Sequence, residues 1–337
     1  SALTGALLSN LRRFIMADLS VTSHSNFLTI FGGETVLAYN ETSQLKDRLM
    51  NRTIASGKSA SFPTYAVETA KMHTPGENIL GGSVTGDNAS TATSGEKTIV
   101  VDKLIYAAQL IDELDELKAH YDIRGSLAAQ SGAALAIQHD AFLLAAMGKD
   151  ATTTETLAAA AAYSATAQFA TDAELLTTIE NCATKFDNLA VPATDRCLVL
   201  RPYEFYQLLN TDAALSRDFN SSGDRRNGQQ SFHYLGFEIL SMKTQADYGG
   251  KNAAAQKAAA GLLDFGGVDP TTDHSFDGSL WFATAFHKGA AGTVSLKGIT
   301  ASADRMPEYN ATLLNTKMAI GVDTIRPDGI IKCVAND

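Results

Sequence analysis

The chain has 337 residues, 45% hydrophobic and 19% charged, with a formal net charge of −10; this excludes global disorder and suits two modest domains or one elongated domain with extensions. The acidic balance argues against a nucleic-acid reader, because no basic footprint is available to displace counterions from phosphate. The three cysteines (Cys182, Cys197 and Cys333) lack metal spacing and are odd in number, which disfavours a disulfide framework and favours a reducing cytoplasm, and no apolar run reaches the length of a membrane span.

Leu3, Leu7, Leu8, Leu11, Phe14, Ile15 and Leu19 recur at helical spacing around Arg12 and Arg13. The spacing predicts an amphipathic arm that docks on a partner or on the body. It is no secretory signal, since a continuous apolar core is missing. A second helical stretch carries Phe27, Ile30, Phe31, Leu37, Leu45 and Leu49, interrupted at Gly32-Gly33. Residues 57–76 read as extended, with Pro63 and Pro75 at edge or turn positions. Residues 81–95 hold one large apolar residue, Val84, and form a loop tip that cannot bury itself. The β-branched run from Thr98 to Tyr106 is the returning strand.

A turn or short helix is expected over Ile111–His120, with Asp112, Glu113, Asp115 and Glu116 on its first turns. Asp122 is the candidate N-cap of the longest helix. Ile123, Leu127, Ala134, Ile137, Ala141 and Leu144 trace one face of it, and Gly148 can end it. Ala128, Ala129, Ser131, Gly132, Ala133 and Ala136 keep that helix thin, so that other backbones can lie close. Residues 151–171 read as a loop, and a helix follows over Asp172–Asn188. Strands are expected at Arg196–Leu200, Gly236–Leu240, Trp281–His287, Gly292–Leu296, Thr316–Ile325 and Ile330–Val334, with a helix over Pro202–Asn210. Asn252–Ala260 is Ala-rich and loosely specified. Strands and helices interleave without βαβ repetition, which makes the fold class α+β.

Catalytic chemistry is missing from this pattern. Asp264-Phe265-Gly266 matches a kinase triplet but has neither a Gly-rich phosphate loop nor a catalytic His-Arg-Asp. Gly57-Lys58-Ser59 imitates the end of a phosphate-binding loop, yet no earlier glycine and no following helix accompany it. Four acids in five residues at Asp112–Glu116 read as a solvated, dipole-matched face, or as partners for basic residues of a neighbouring chain. His120, His139, His233, His274 and His287 show no metal-ligand spacing. No nucleophile elbow is present. The expectation is no catalytic residue, no metal and no cofactor.

A collinear set of segments carries a resemblance instead. Gly57-Lys58-Ser59-Ala60-Ser61-Phe62-Pro63, His73-Thr74-Pro75-Gly76-Glu77, Glu96-Lys97-Thr98-Ile99, Ile111-Asp112 and His120-Tyr121-Asp122 resemble the major capsid proteins of short-tailed phages of the T-seven type. So do Gly132–Ile137, Gly236–Ile239, Ala291–Lys297 and Ile325–Gly329, so the similarity runs from about residue 25 to the C-terminus. The Ala/Thr tract at 151–171 and the insert near 252–260 depart from the family pattern.

The resemblance implies the Hong Kong 97 capsid fold. Residues 1–56 would be an N-terminal arm, 57–98 the extended hairpin called the E-loop, 99–190 and 299–324 the P-domain with its spine helix at 122–147, and 191–298 with 325–337 the A-domain. It further implies self-assembly into hexamers and pentamers of an icosahedral shell around double-stranded DNA held without sequence-specific binding, triangulation number seven, a scaffolding protein, a portal protein and no membrane. The expected inter-subunit contacts are Lys58, Phe62, Pro63, Pro75, Glu77 and Lys97 on the E-loop, and Asp112, Glu113, Asp115 and Glu116 near the spine. Leu7, Leu11, Arg12, Arg13 and Phe14 on the arm would meet scaffold or shell. The virion is the expected location, after assembly in the host cytoplasm. An encapsulin-like compartment is the rival within the fold, and a soluble enzyme the rival outside it.

Overall fold

The computed structural model describes residues 30–65, 72, 75, 94–101, 103–112, 114, 118, 123–156, 172–210, 231–242, 262–263, 276–277 and 281–334. A first helix, α1 (residues 30–42), runs through Gly32-Gly33 without the expected interruption. It buries Phe31, Thr35 and Tyr39 and leaves Ile30 and Leu37 exposed. After a 3-10 turn at Lys46–Arg48 come β1 (Met50–Thr53), β2 (Ser59–Tyr65), β3 (Ser94–Val100) and β4 (Lys103–Asp112). Gly57-Lys58-Ser59 thus leads into a strand, as its non-phosphate reading requires. The expected returning strand at 98–106 is divided after Val100 between β3 and β4.

The longest helix, α2, spans Ile123–Asp150, about 42 Å at helical rise. Its start matches the sequence reading; Asp122, the expected N-cap, lies outside the described residues. Gly148 does not end it but sits buried inside its last turn. The buried stripe also differs from the expected one. It follows Ala128, Ser131, Gly132, Leu135, Ala136 and His139, while Ala134 is exposed and Leu127 and Ile137 are half-buried. Small residues, not the larger apolar ones, mark the close-packed side, and from Asp140 to Gly148 every residue is buried.

Beyond α2, β5 (Thr153–Thr156) occupies part of the segment read as a loop, because four residues of it pair in parallel with the last strand. Then follow α3 (Asp172–Asn188), β6 (Arg196–Leu200), α4 (Pro202–Asn210), β7 (Ser231–Tyr234) and β8 (Phe237–Ser241). The remaining strands are β9 (Leu262–Leu263), β10 (Phe276–Asp277), β11 (Trp281–His287), β12 (Ala291–Met306), β13 (Ala311–Thr324) and β14 (Ile330–Val334). α3, β6, α4, β8, β11 and β14 match the sequence reading to within a residue; β7, β9 and β10 were not read from it, and β12 and β13 run well beyond it, as a long hairpin. Residues 252–260 and Asp264-Phe265-Gly266 lie outside the described residues.

Two large sheets result. One has the order β5-β14-β11-β6-β8-β7, the other β1-β12-β13-β4; β2 and β3 form a separate hairpin. The six-stranded sheet is covered on both faces. Leu198, Leu200, Phe237, Ile239, Ile331 and Cys333 pack with Leu175, Ile179, Phe186, Phe205 and Leu208 of α3 and α4. From the opposite face Cys197, Val199, Leu240, Phe286 and Ile330 pack with the C-terminal half of α2. Strands buried on both sides read as continuous apolar runs, which is why Cys197–Leu200 was legible. The same α2 cluster takes in Ile105, Met318, Ile320 and Val322 of the four-stranded sheet, so one core joins the two sheets.

The sheets run across the expected domain ranges. β12 belongs wholly to the four-stranded sheet, so the boundary proposed between 298 and 299 falls inside a strand. β1, assigned to the arm, is an edge of that same sheet, while β5, assigned to the P-domain range, joins the six-stranded one.

Candidate assembly surfaces

The hairpin is rooted by apolar contacts. Strands β2 and β3 pair from Ser59↔Val100 to Tyr65↔Ser94. Near the base Ala60, Phe62 and Ile99 bury themselves against Val294 and Ile325, with Ile54 and Val101 alongside. The Val101 N–H donates to the Lys58 carbonyl at 2.8 Å. Arg52 Nη1 donates to the Ser61 carbonyl at 2.6 Å, with the guanidinium 6.0 Å from the Phe62 ring centroid. Gly321 on β13 admits the β3 backbone, since a Cβ there would stand 2.2 Å from the Val100 carbonyl oxygen.

This geometry sorts the expected E-loop contacts. Phe62 is 9% exposed and packs in the root cluster within its own chain. Lys97 forms an ion pair with Asp323 at 3.1 Å, both side chains partly exposed; such a pair contributes about 0–1 kcal/mol. Pro63 is exposed on a two-stranded hairpin and Pro75 is exposed in a turn, as edge and turn readings require. Lys58 is exposed at the hairpin's foot. Glu77 lies outside the described residues, as do Leu7, Leu11, Arg12, Arg13 and Phe14 of the arm.

Asp112 is the last residue of β4, opposite Ala311, and its Oδ1 accepts the Leu114 N–H at 2.8 Å as a helix cap does. Leu114 and Lys118 are helical, so the expected short helix lies beyond Asp112, while Ile111 and Asp112 themselves pair with β13. Glu113, Asp115 and Glu116 lie outside the described residues.

A second surface was not foreseen. On β4, Ile105, Ala107 and Ile111 face inward, toward the side of the sheet that α2 covers. The alternate residues Leu104, Tyr106 and Leu110 point outward and are 55%, 67% and 53% exposed. β4 is also an edge strand, with one row of backbone groups unpaired by any described strand. Both faces of β4 carry apolar residues, so alternation in the sequence could not tell them apart. The signal was present only as excess: an edge strand should expose polar side chains, and on the outward row of this one Leu104, Tyr106 and Leu110 are exposed before Asp112 ends it.

A polar latch fixes the root of the arm. α1 crosses α2 at Gly132, where a Cβ would come within 2.4 Å of the Thr35 carbonyl oxygen. The thin helix is therefore used, but by a helix of its own chain. One turn further, the Tyr39 hydroxyl and His139 Nδ1 share a hydrogen bond at 2.6 Å with the rings stacked, and His139 Nε2 shares one with Thr293 Oγ1 at 3.1 Å. Burial, with a lesser contribution from Lys46, pushes His139 down to about 4, so the ring is neutral. Next to it, Asp140 accepts Ser43 Oγ at 2.9 Å and the Gln44 N–H at 2.8 Å. Burial raises its carboxyl to about 6 although these bonds favour the anion. Arg48 then binds Glu238 of β8 through two hydrogen bonds, which hold that carboxyl below its ordinary range. Among the described residues no three His, Cys, Asp or Glu side chains cluster to hold a metal, and no helix is long and apolar enough to cross a membrane.

Comparison with known proteins agrees with this reading. The sequence model of the Gp10A-like major capsid proteins matches residues 61–332. The major capsid protein of Escherichia phage T7 is 27% identical over 324 residues, covering 90% of this chain and 89% of that one. Among solved structures, the capsid of the cyanophage P-SCSP1u superposes with a TM-score of 0.66 at 23% identity, covering 86% of this chain and 87% of that one. The virus-like particle from Pyrococcus furiosus shares the fold at a TM-score of 0.54 and 13% identity, over 89% and 96% of the two chains. Fold likeness alone does not divide phage shells from such particles, but the family match does: the chain belongs to the Gp10A-like major capsid proteins, a structural family and not an enzyme family.

Proposed function

We propose that this protein closes hexamers and pentamers into an icosahedral phage shell around double-stranded DNA, with the virion as its place of residence and the host cytoplasm as its place of assembly. The carrying observation is the family match across residues 61–332. Two physical features support it. The β2–β3 hairpin leaves the body from a rooted base, which suits an E-loop lying over the next subunit. The outer face of β4 offers Leu104, Tyr106 and Leu110 to a second copy. Such head-to-tail contacts close rings. Covering each of these half-exposed side chains is worth about 1 kcal/mol, and many weak contacts acting together hold a shell.

Within this reading Lys58, Pro63, Pro75, Glu77 and Lys97 border the hairpin contact, and Asp112, Glu113, Asp115 and Glu116 meet basic groups of a neighbour. Leu7, Leu11, Arg12, Arg13 and Phe14 meet a scaffolding protein or the inner shell. A portal protein occupies one vertex, and triangulation number seven follows from the resemblance. The net charge of −10 suits a wall that does not grip packed DNA. Expression of the full chain followed by electron microscopy tests the reading. Closed shells or capsomers are expected, and a small monodisperse particle with turnover would overturn it.

A further inference from the structure

The sequence gives no reason to pair its cysteines, but the fold does. Cys182 on α3 and Cys333 on β14 stand 151 residues apart in the chain with their Sγ atoms 3.6 Å apart. Both are free thiols, 1% and 0% exposed, within the cluster that joins α3 to the six-stranded sheet. Neighbouring bonds hold them in register. β14 is paired on both sides, and Cys333 lies opposite Ala283 of β11 and Glu155 of β5. Asn181 Nδ2, one residue before Cys182, donates to Glu155 Oε1 at 2.9 Å, and Lys185 pairs with the same carboxylate. The third thiol is segregated: Cys197 packs in the cluster on the opposite face of the sheet, 3.9 Å from Glu238 Oε2.

We propose that Cys182 and Cys333 form an oxidation site, at which a peroxide converts the two thiols into a disulfide that ties α3 to the last strand. One sulfur attacks a peroxide oxygen; the O–O bond breaks, water leaves and a sulfenic acid remains. The second sulfur attacks the sulfenic sulfur, the S–S bond forms and the S–O bond breaks. The departing hydroxide takes the second thiol's proton and leaves as water. Two thiols are oxidised and one hydrogen peroxide is reduced to two waters.

Closure requires the sulfurs to approach by about 1.5 Å, to the roughly 2.05 Å of a disulfide. The hydrogen bond with Cys182, with burial next, holds the Cys333 thiol well above its ordinary value, so the step is slow. That pace suits a pair that stays reduced inside a cell and closes in a particle that has left it. This timing rests on the shell reading; the chemistry does not.

The test treats the full-length protein with hydrogen peroxide, alkylates it in denaturant and maps its peptides by mass. The expected result is one linked peptide pair containing Cys182 and Cys333, short of two hydrogens, with Cys197 alkylated. The thermal midpoint should rise by roughly 5 °C and fall back with dithiothreitol. The C197S variant keeps the link, and C182S loses it. The wild-type map decides even if C182S does not fold. Three alkylated thiols after a dose that oxidises the unfolded chain would overturn the proposal. Separate sulfinic acids, or a link through Cys197, would do the same. The map is read whether or not shells form, so its failure is distinct from failure of the shell reading.

Discussion

The six-stranded sheet is covered on both faces by parts of its own chain, with α3 and α4 on one side and the end of α2 on the other. The four-stranded sheet has α2 on one face and, on the other, an edge strand exposing Leu104, Tyr106 and Leu110. The first region completes its core within the subunit. The second, with the hairpin rooted beside it, leaves apolar side chains exposed that the proposed shell would cover with another copy. If so, substitutions in the two regions should separate into effects on folding and effects on assembly.

The largest effect is expected where backbone meets backbone. Gly321→Ala forces a methyl against the Val100 carbonyl at 2.2 Å, and should cost about 3 kcal/mol in urea unfolding by overpacking the hairpin root. Phe62→Ala empties the root cluster without touching the six-stranded sheet and should cost about 2–3 kcal/mol. Urea melts followed separately by hairpin and sheet probes would place the loss at the hairpin. A loss shared equally by both sheets would erase the distinction drawn above.

The latch gives a pH prediction of intermediate size. His139 is lowered from 6.5 to about 4, so its contribution to stability is present above pH 6.5 and is lost as pH falls toward 4. Asp140 is raised from 3.8 to about 6, so its contribution is present below pH 3.8 and is lost as pH rises through 6. Between pH 4 and 6 the unfolded chain holds one proton on His139 and the folded chain holds one on Asp140, so the two slopes cancel. Asp140→Asn should expose a stability that rises by about 1.4 kcal/mol per pH unit across that window, and His139→Gln one that falls by a similar amount. Melts of both variants at pH 4.5, 5.5 and 6.5 check the opposite signs. The smallest effect belongs to Lys97→Ala, below about 0.5 kcal/mol by the same unfolding assay, because its ion pair with Asp323 is solvated.

What was legible follows the same division. Strands buried on both faces, such as Arg196–Leu200 and Trp281–His287, announce themselves as unbroken apolar runs. The hairpin was legible from Pro63, Pro75 and the polar tract between its strands. The close-packed side of α2 was not, because small residues define it and apolar periodicity favours large ones. β5 was invisible in Thr153–Thr156, whose strand character comes from pairing with β14. The latch joins Tyr39 to His139 across 100 residues, and the cysteine pair spans 151, separations that no local pattern encodes. The outward row on β4 was hidden because its inward row is equally apolar. Under the proposed assembly that ambiguity is physical: one face of the strand is buried on folding, and the other would be buried between copies.

The central claim is that the outer face of β4 is an assembly surface and not part of the subunit's own core. The most direct measurement compares the Leu104→Glu/Tyr106→Asp double variant with the wild type by thermal melting and by electron microscopy of the same preparation. The account predicts a melt close to wild type, since each side chain is more than half exposed, together with soluble subunits that form no closed shells. Normal shells from the double variant would contradict it.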